Sequence, residues 1–199
     1  MSKSGTRSAA KQPPPPPPRS NARTFLALGA VVVAIAGGAI VWLTGDDSSN
    51  EAADSVGAGV ESFDVGSPQH VDGSVTYEQS PPVGGDHAPV WLNCGTYGEQ
   101  VPNELAVHAL EHGAAWITYR PDVSTDQIGT LAALGDEAYT VVSPFSDLDS
   151  PIVVTSWGKQ LSVESADDPS IAAFLDEYRE SPDAPEPGAP CTGGQGTPQ

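Results

Sequence analysis

Residues 24–43 read TFLALGAVVVAIAGGAIVWL, twenty residues without a charge. As a helix rising about 1.5 Å per residue, this stretch spans the roughly 30 Å hydrocarbon core of a bilayer. It constrains the chain more than any other feature, because it splits the sequence into a short leading part and a long trailing part on opposite sides of a membrane. Lys3, Arg7, Lys11, Arg19 and Arg23 precede it, and Asp46, Asp47 and Glu51 follow it. The positive-inside rule then places the N-terminus in the cytoplasm and the remainder outside, a single-pass cell-membrane protein with residues 24–43 against lipid. A cleaved signal peptide competes, with Ala34-Ile35-Ala36 as its small-residue cleavage site. The apolar run continues for seven residues past that point, which favours an uncleaved anchor.

Around this segment the composition shifts four times. Residues 1–23, with Pro13 to Pro18 unbroken, read as a basic, proline-rich cytoplasmic tail of polyproline-II character. Residues 44–59 are small and acidic, the composition of a flexible stalk. Residues 60–180 carry the pattern of a folded domain, and residues 181–199 read as a loose C-terminal tail tied only through Cys191. Within the domain, apolar stretches at 75–77, 90–92, 114–119, 139–142 and 152–157 predict strands, since they are rich in Val, Ile, Tyr, Trp and Thr. Helices are predicted at 104–112, 125–134 (ended by Gly135) and 169–179, where Pro169 suits a first turn. The expected fold class is α+β: one compact domain with a small, mainly antiparallel sheet and about three helices, preceded by one transmembrane helix.

From residue 24 onward only Arg120, Lys159 and Arg179 stand against 26 acids. Such a surface repels phosphate backbones, so nucleic acid is excluded as a partner, and it concentrates cations without selecting one. No G-x-S-x-G elbow, phosphate-binding glycine loop, C-x-x-C pair or EF-hand loop occurs. Trp91, Trp116 and Trp157 lie in apolar stretches and read as core aromatics.

The chemistry that remains is histidine. All four histidines, His70, His87, His108 and His112, fall within one short window. Asn103 after Pro102 reads as an N-cap and Gly113 as a stop, giving a helix of about two and a half turns. At about 100° per residue, Glu104, His108, Glu111 and His112 share an arc of roughly 100°, with Ala106, Ala109 and Leu110 opposite. Two imidazoles at i and i+4 lie close enough to meet at one ion, and a neighbouring carboxylate can orient them. A polar helix face in water is the competing reading. His87 follows Pro81-Pro82-Val83-Gly84-Gly85-Asp86, a rigid-then-flexible turn able to deliver it to a fixed point, with Asp86 as a supporting group. His70 sits in a second loop. The candidate metal ligands are therefore His87, His108, His112 and His70, with Glu111, Asp86 and Glu104 as supporting carboxylates. Imidazole suits zinc or copper(II), and the lone methionine, at position 1, excludes a methionine-rich copper(I) carrier. His108-x-x-Glu111-His112 also fits the H-x-x-E-H pattern of inverted zinc peptidases, in which Glu111 would be the general base. Five residues with three fixed positions carry little weight, and the chain reads as a non-enzyme.

Cys94 and Cys191 are the only cysteines. On the oxidising side of a membrane an even pair reads as a disulfide, one that closes a loop of about 98 residues and pins the tail. Cys94 as a further metal ligand beside the histidines is the competing reading.

Tyr77-x-x-x-Pro81-Pro82-x-x-Gly85-x-His87, then Trp91-x-x-Cys94-Gly95-x-Tyr97, then His108-x-Leu110-Glu111-His112-Gly113 and Tyr119-Arg120-Pro121 follow in order. Over roughly residues 60–180 this resembles the bacterial exported proteins grouped as domain-of-unknown-function family 3105. The resemblance implies a membrane-anchored extracytoplasmic domain and no established activity. It makes His87, His108, Glu111 and His112 the characteristic positions. The resulting expectation is a membrane-anchored domain that binds zinc or copper through histidines for storage, delivery or sensing. The alternatives are a cell-envelope interaction module with structural histidines, bound to an envelope protein partner, and a zinc metallopeptidase.

Overall fold

The computed structural model describes residues 59–199. The expected cytoplasmic tail, membrane helix and all but the last residue of the stalk lie outside that range. Among the described residues no helix is long and apolar enough to cross a membrane.

Among the described residues six strands form one sheet: β1 (Val60–Ser62), β2 (Gly95–Thr96), β3 (Ala115–Tyr119), β4 (Thr140–Pro144), β5 (Ile152–Ser156) and β6 (Lys159–Val163). Their spatial order is β1-β6-β5-β3-β4-β2. Three helices accompany them, α1 (Asn103–Glu111), α2 (Thr125–Leu134) and α3 (Pro169–Tyr178). The domain is α+β. The runs expected at 114–119 and 152–157 become the adjacent central strands β3 and β5, each one residue shorter, and every residue of both strands is buried. Such unbroken apolar runs belong where both faces of a sheet are covered.

Both faces are indeed covered. Trp116, Val141 and Val153 point to one side, where they meet Ala106, Val107, Ala109 and Leu110 of α1. Ala115, Ile117, Val142 and Val154 point to the other and pack with Leu131 of α2 and Ile171, Phe174 and Leu175 of α3. Alternation along each strand therefore serves two apolar cores rather than one core and solvent. Burying a side chain such as Leu110 or Phe174 contributes on the order of 1.5–3 kcal/mol.

Several expectations need correction. The sheet is mixed rather than mainly antiparallel: β1–β6, β6–β5 and β5–β3 are antiparallel, whereas β3–β4 and β4–β2 are parallel. The reason is α2, a crossover that returns the chain so that β4 runs alongside β3 in the same direction. Residues 75–77 are not a strand; the Val75 N–H donates to the Glu104 carboxylate at 2.9 Å instead of to a neighbouring strand. In 90–92 only Leu92 bridges, to Gln195. The two-residue turn Trp157-Gly158, with Gly158 at φ +66°, folds β6 back on β5, a hairpin the sequence reading passed over.

The helix ends follow local chemistry with one exception. Ser124 caps α2 through a bond from the Gln127 N–H, and Asp168 caps α3 through one from the Ser170 N–H, with Pro169 in the first turn. At α1 the cap position belongs to Pro102, one residue before the expected Asn103, because the Pro102 carbonyl already accepts from Ala106 N. The Asn103 side-chain oxygen is left without a partner.

The segment 181–199 is not loose. Its backbone bonds to the domain along its length: Glu186 N to Glu111 O, Gly188 N to His112 O, Gln195 N to Trp91 O and Gln199 N to Thr96 O. The first two satisfy carbonyls that the end of α1 leaves without intrahelical partners. Gly113 makes this packing possible. It sits at φ +96°, and a Cβ there would lie 3.0 Å from the Glu180 Cα.

Candidate metal centre

The polar side of α1 does not face water. His108, Glu111 and His112 are all buried, so the solvated-helix reading is overturned. The reason is tertiary. The loops around His70 and His87 and the strap 186–190 close over the helix end, replacing water with other polar side chains and carbonyls.

Three of the four rings are held from behind. His87 Nδ1 is 2.8 Å from the Gly85 carbonyl, His108 Nδ1 is 2.6 Å from the Ala88 carbonyl, and His112 Nδ1 is 2.7 Å from the Pro190 carbonyl. A carbonyl oxygen only accepts, so each Nδ1 carries the hydrogen and donates it. In the neutral ring the Nε2 atom is then a bare lone pair, the tautomer that metal-ligating histidines adopt when the other nitrogen is anchored.

Those lone pairs converge. Glu111 Oε2 lies 3.0 Å from His87 Nε2, 3.4 Å from His70 Nε2 and 3.9 Å from His108 Nε2. One donor atom from each of His70, His87, His108 and Glu111 falls within 4.8 Å of every other. Tetrahedral coordination with bonds of roughly 2.0–2.1 Å places neighbouring donors about 3.3–3.4 Å apart, in the middle of these distances. His108 Nε2 is also 3.0 Å from His112 Nε2. A second overlapping group consists of Glu111, His112 and Glu186, with His112 Nε2 3.8 Å from Glu186 Oε2. Burial is the chief reason His108 titrates below its ordinary range; the Ala88 hydrogen bond opposes the shift, and His112 and His87 deepen it.

The supports are as specific as the ligands. The His87 turn hangs on the β5–β6 hairpin, where Val83 O accepts from Gly158 N at 2.7 Å and Pro81 O from the Gln160 side chain at 3.1 Å. Gly85 adopts φ +104°, which aims its carbonyl at the His87 ring two residues on. His70 is brought in by a short parallel bridge, in which Val71 N donates to His87 O and His87 N to Gln69 O. Asp86 accepts from Gln69 N at 2.9 Å, so its carboxylate ties the two loops together. Glu104 points away, to Val75. Trp157 stands edge-on to His87 with ring centres 6.1 Å apart, and Trp91 lies against His108 and His112 at 5.9 and 5.1 Å. Of the three tryptophans expected in the core, Trp116 and Trp157 are buried there, whereas Trp91 is only half-buried and, with Trp157, walls the histidine cluster.

Cys94 is bonded to Cys191, with Cα atoms 5.4 Å apart, so its reading as a thiolate ligand is overturned. The donor set is imidazole and carboxylate alone. Glu186 is the residue the sequence reading missed, having been assigned to a loose tail. Its one pointer was Cys191, whose pairing draws the tail onto the domain.

No curated protein and no solved structure matches the chain. A family model described as "Protein of unknown function (DUF3105)" matches residues 70–193, a span that holds all four histidines, both cysteines and Glu186, and the chain belongs to that family.

Proposed function

We propose that the described domain is a metal-binding module displayed outside a membrane, taking zinc or copper(II) for storage, delivery or sensing. The observation that carries this reading is the commitment of the His87 and His108 Nδ1 hydrogens to backbone carbonyls, which turns their bare Nε2 atoms toward one buried carboxylate. Acceptor faces acceptor in such an arrangement, and leaving buried polar groups unmatched costs about 1–3 kcal/mol each. A divalent cation among them reverses the sign of every one of those contacts. His70, His87, His108 and Glu111 would be its ligands. Nitrogen and oxygen donors without thiolate or thioether suit zinc or copper(II). The uncharged segment 24–43 with its basic leading flank supports the membrane anchor, and the acidic surface supports attraction of cations from outside.

Glu111 favours binding over peptidase chemistry. In the H-x-x-E-H arrangement the glutamate activates an ion-bound water. Here its Oε2 sits among three Nε2 atoms at 3.0–3.9 Å, the position of a ligand.

The test is elemental analysis of the intact chain, purified in detergent without a histidine tag, with thermal melts in zinc and copper(II). Stoichiometric metal, reduced in His87→Ala, together with a raised melting temperature is expected. A metal-free chain whose melting ignores both ions refutes the reading.

A further inference from the structure

We propose that the centre holds two cations, the second on His112, Glu186 and Glu111, with the Glu111 carboxylate shared between the two positions. This rests on the metal-binding reading above and extends it.

His112 does not belong to the first group. The four donors that lie mutually within 4.8 Å are those of His70, His87, His108 and Glu111; His112 instead groups with Glu111 and Glu186. Its ring is buried, with 4% of the side chain exposed, and its Nδ1 hydrogen is given to Pro190 O. Its Nε2 is left facing His108 Nε2 at 3.0 Å and Glu186 Oε2 at 3.8 Å. Neither offers a hydrogen when the histidines are neutral and the glutamate ionised. An ion on the first group alone would occupy the His108 lone pair and leave that of His112 buried and unmatched. A second cation matches it.

Glu186 is delivered rather than stray. The strap that carries it is hydrogen-bonded to the end of α1 at two successive carbonyls, Glu111 O from Glu186 N and His112 O from Gly188 N. Five residues on, the chain is locked by the Cys94–Cys191 bond. The same strap supplies the Pro190 carbonyl that orients His112. One short segment therefore both closes the helix and contributes a ligand and a ring anchor to the second position. A carboxylate has two oxygens and about four lone-pair directions, enough to serve two ions, and paired ions bridged in this way stand about 3.5–4 Å apart in two-metal sites.

The two positions differ in kind. The first has four protein donors, enough to fill a tetrahedral set, with only His70 exposed, at 47% of its side chain. The second has three, and one of them, Glu186, is 57% exposed on its side chain. An ion with three protein ligands keeps a coordination position for water or an incoming donor. The second ion is thus the one that exchanges with solution, or hands metal to a partner, while the first holds the site together.

The experiment is zinc stoichiometry by equilibrium dialysis and elemental analysis on the intact detergent-purified chain, beside Glu186→Gln and His87→Ala. Two zinc ions in the wild type, one in Glu186→Gln with a retained melting temperature, and at most one in His87→Ala are expected. The exposed Glu186 makes failure to fold an unsuitable explanation, and circular dichroism checks it. One zinc ion in the wild type, or two that persist unchanged in Glu186→Gln, overturns the second position while leaving the metal-binding reading intact. No zinc in the wild type overturns both.

Discussion

His108 Nε2 and His112 Nε2 lie 3.0 Å apart, although both rings have already donated their Nδ1 hydrogens to carbonyls. Two neutral imidazoles in that orientation present lone pair to lone pair. The pair is stable only with an added proton between the nitrogens or with cations against them, and added protons must compete with metal for the same orbitals. Metal occupancy is therefore expected to fall as pH drops below about 6.5, the ordinary range for imidazole protonation, because burial holds His108 below that range. Dialysis at pH 8 and pH 5 measures it; equal occupancy at both would be inconsistent with imidazole ligation.

Glu111→Gln keeps the shape of the side chain but removes the charge shared by both positions. Loss of most bound metal is expected, with little change in circular dichroism, since the amide can still meet the His87 and His70 nitrogens. A variant that binds metal as the wild type does would remove Glu111 from the ligand set.

Copper(II) should quench tryptophan fluorescence as it binds. Trp91 stands 5.1 Å from His112 and Trp157 6.1 Å from His87, ring centre to ring centre. The quenching should saturate at stoichiometric copper, and Trp91→Phe should remove a large part of it. Linear quenching without a break would indicate collisions at the surface instead.

The disulfide supports the second ion position through the strap. Cys94→Ser with Cys191→Ser frees the Pro190 carbonyl from its tether, and loss of such an orienting partner weakens metal binding by roughly 10–100-fold. Stability should also fall, by about 2–5 kcal/mol. Calorimetric titration with zinc separates the two effects, because the weaker, open position should respond more than the four-donor one.

Gly113→Ala places a Cβ against Glu180 at a backbone angle that L-residues rarely adopt. A loss of about 1–3 kcal/mol is expected, read as a lowered denaturant midpoint in urea. A neutral result would mean that the Glu180 backbone can shift without cost.

Tyr97 gives the alkaline limit. Burial pushes its hydroxyl up to about 12 from an ordinary 10. The unfolded chain therefore releases that proton first, so stability is intact below pH 10 and declines as pH rises from 10 toward 12. In Tyr97→Phe this part of the decline should be absent from denaturation curves taken across that interval.

What was legible in the sequence was local. The positions of α1, α2 and α3, the buried runs of β3 and β5, and the approach of His108, Glu111 and His112 on one helix all follow from periodicity, capping chemistry and the stop at Gly113. These are interactions among residues within a few positions of each other, and a linear pattern records them. The pairing of Cys94 with Cys191 was legible as well, because two cysteines allow only one internal bond. The tertiary structure decided the rest. It turned the polar side of α1 inward, set β4 parallel to β3, brought His70 and His87 to Glu111 through a two-loop bridge, and laid Glu186 and the Pro190 carbonyl against His112. Each depends on contacts between segments tens of residues apart, and a carboxylate in a Pro/Gly-rich tail looks the same in the sequence whether the tail is free or strapped to a helix end. Burial converts those histidines from a hydrated surface into a convergent set of lone pairs, and burial is a property of the packed chain.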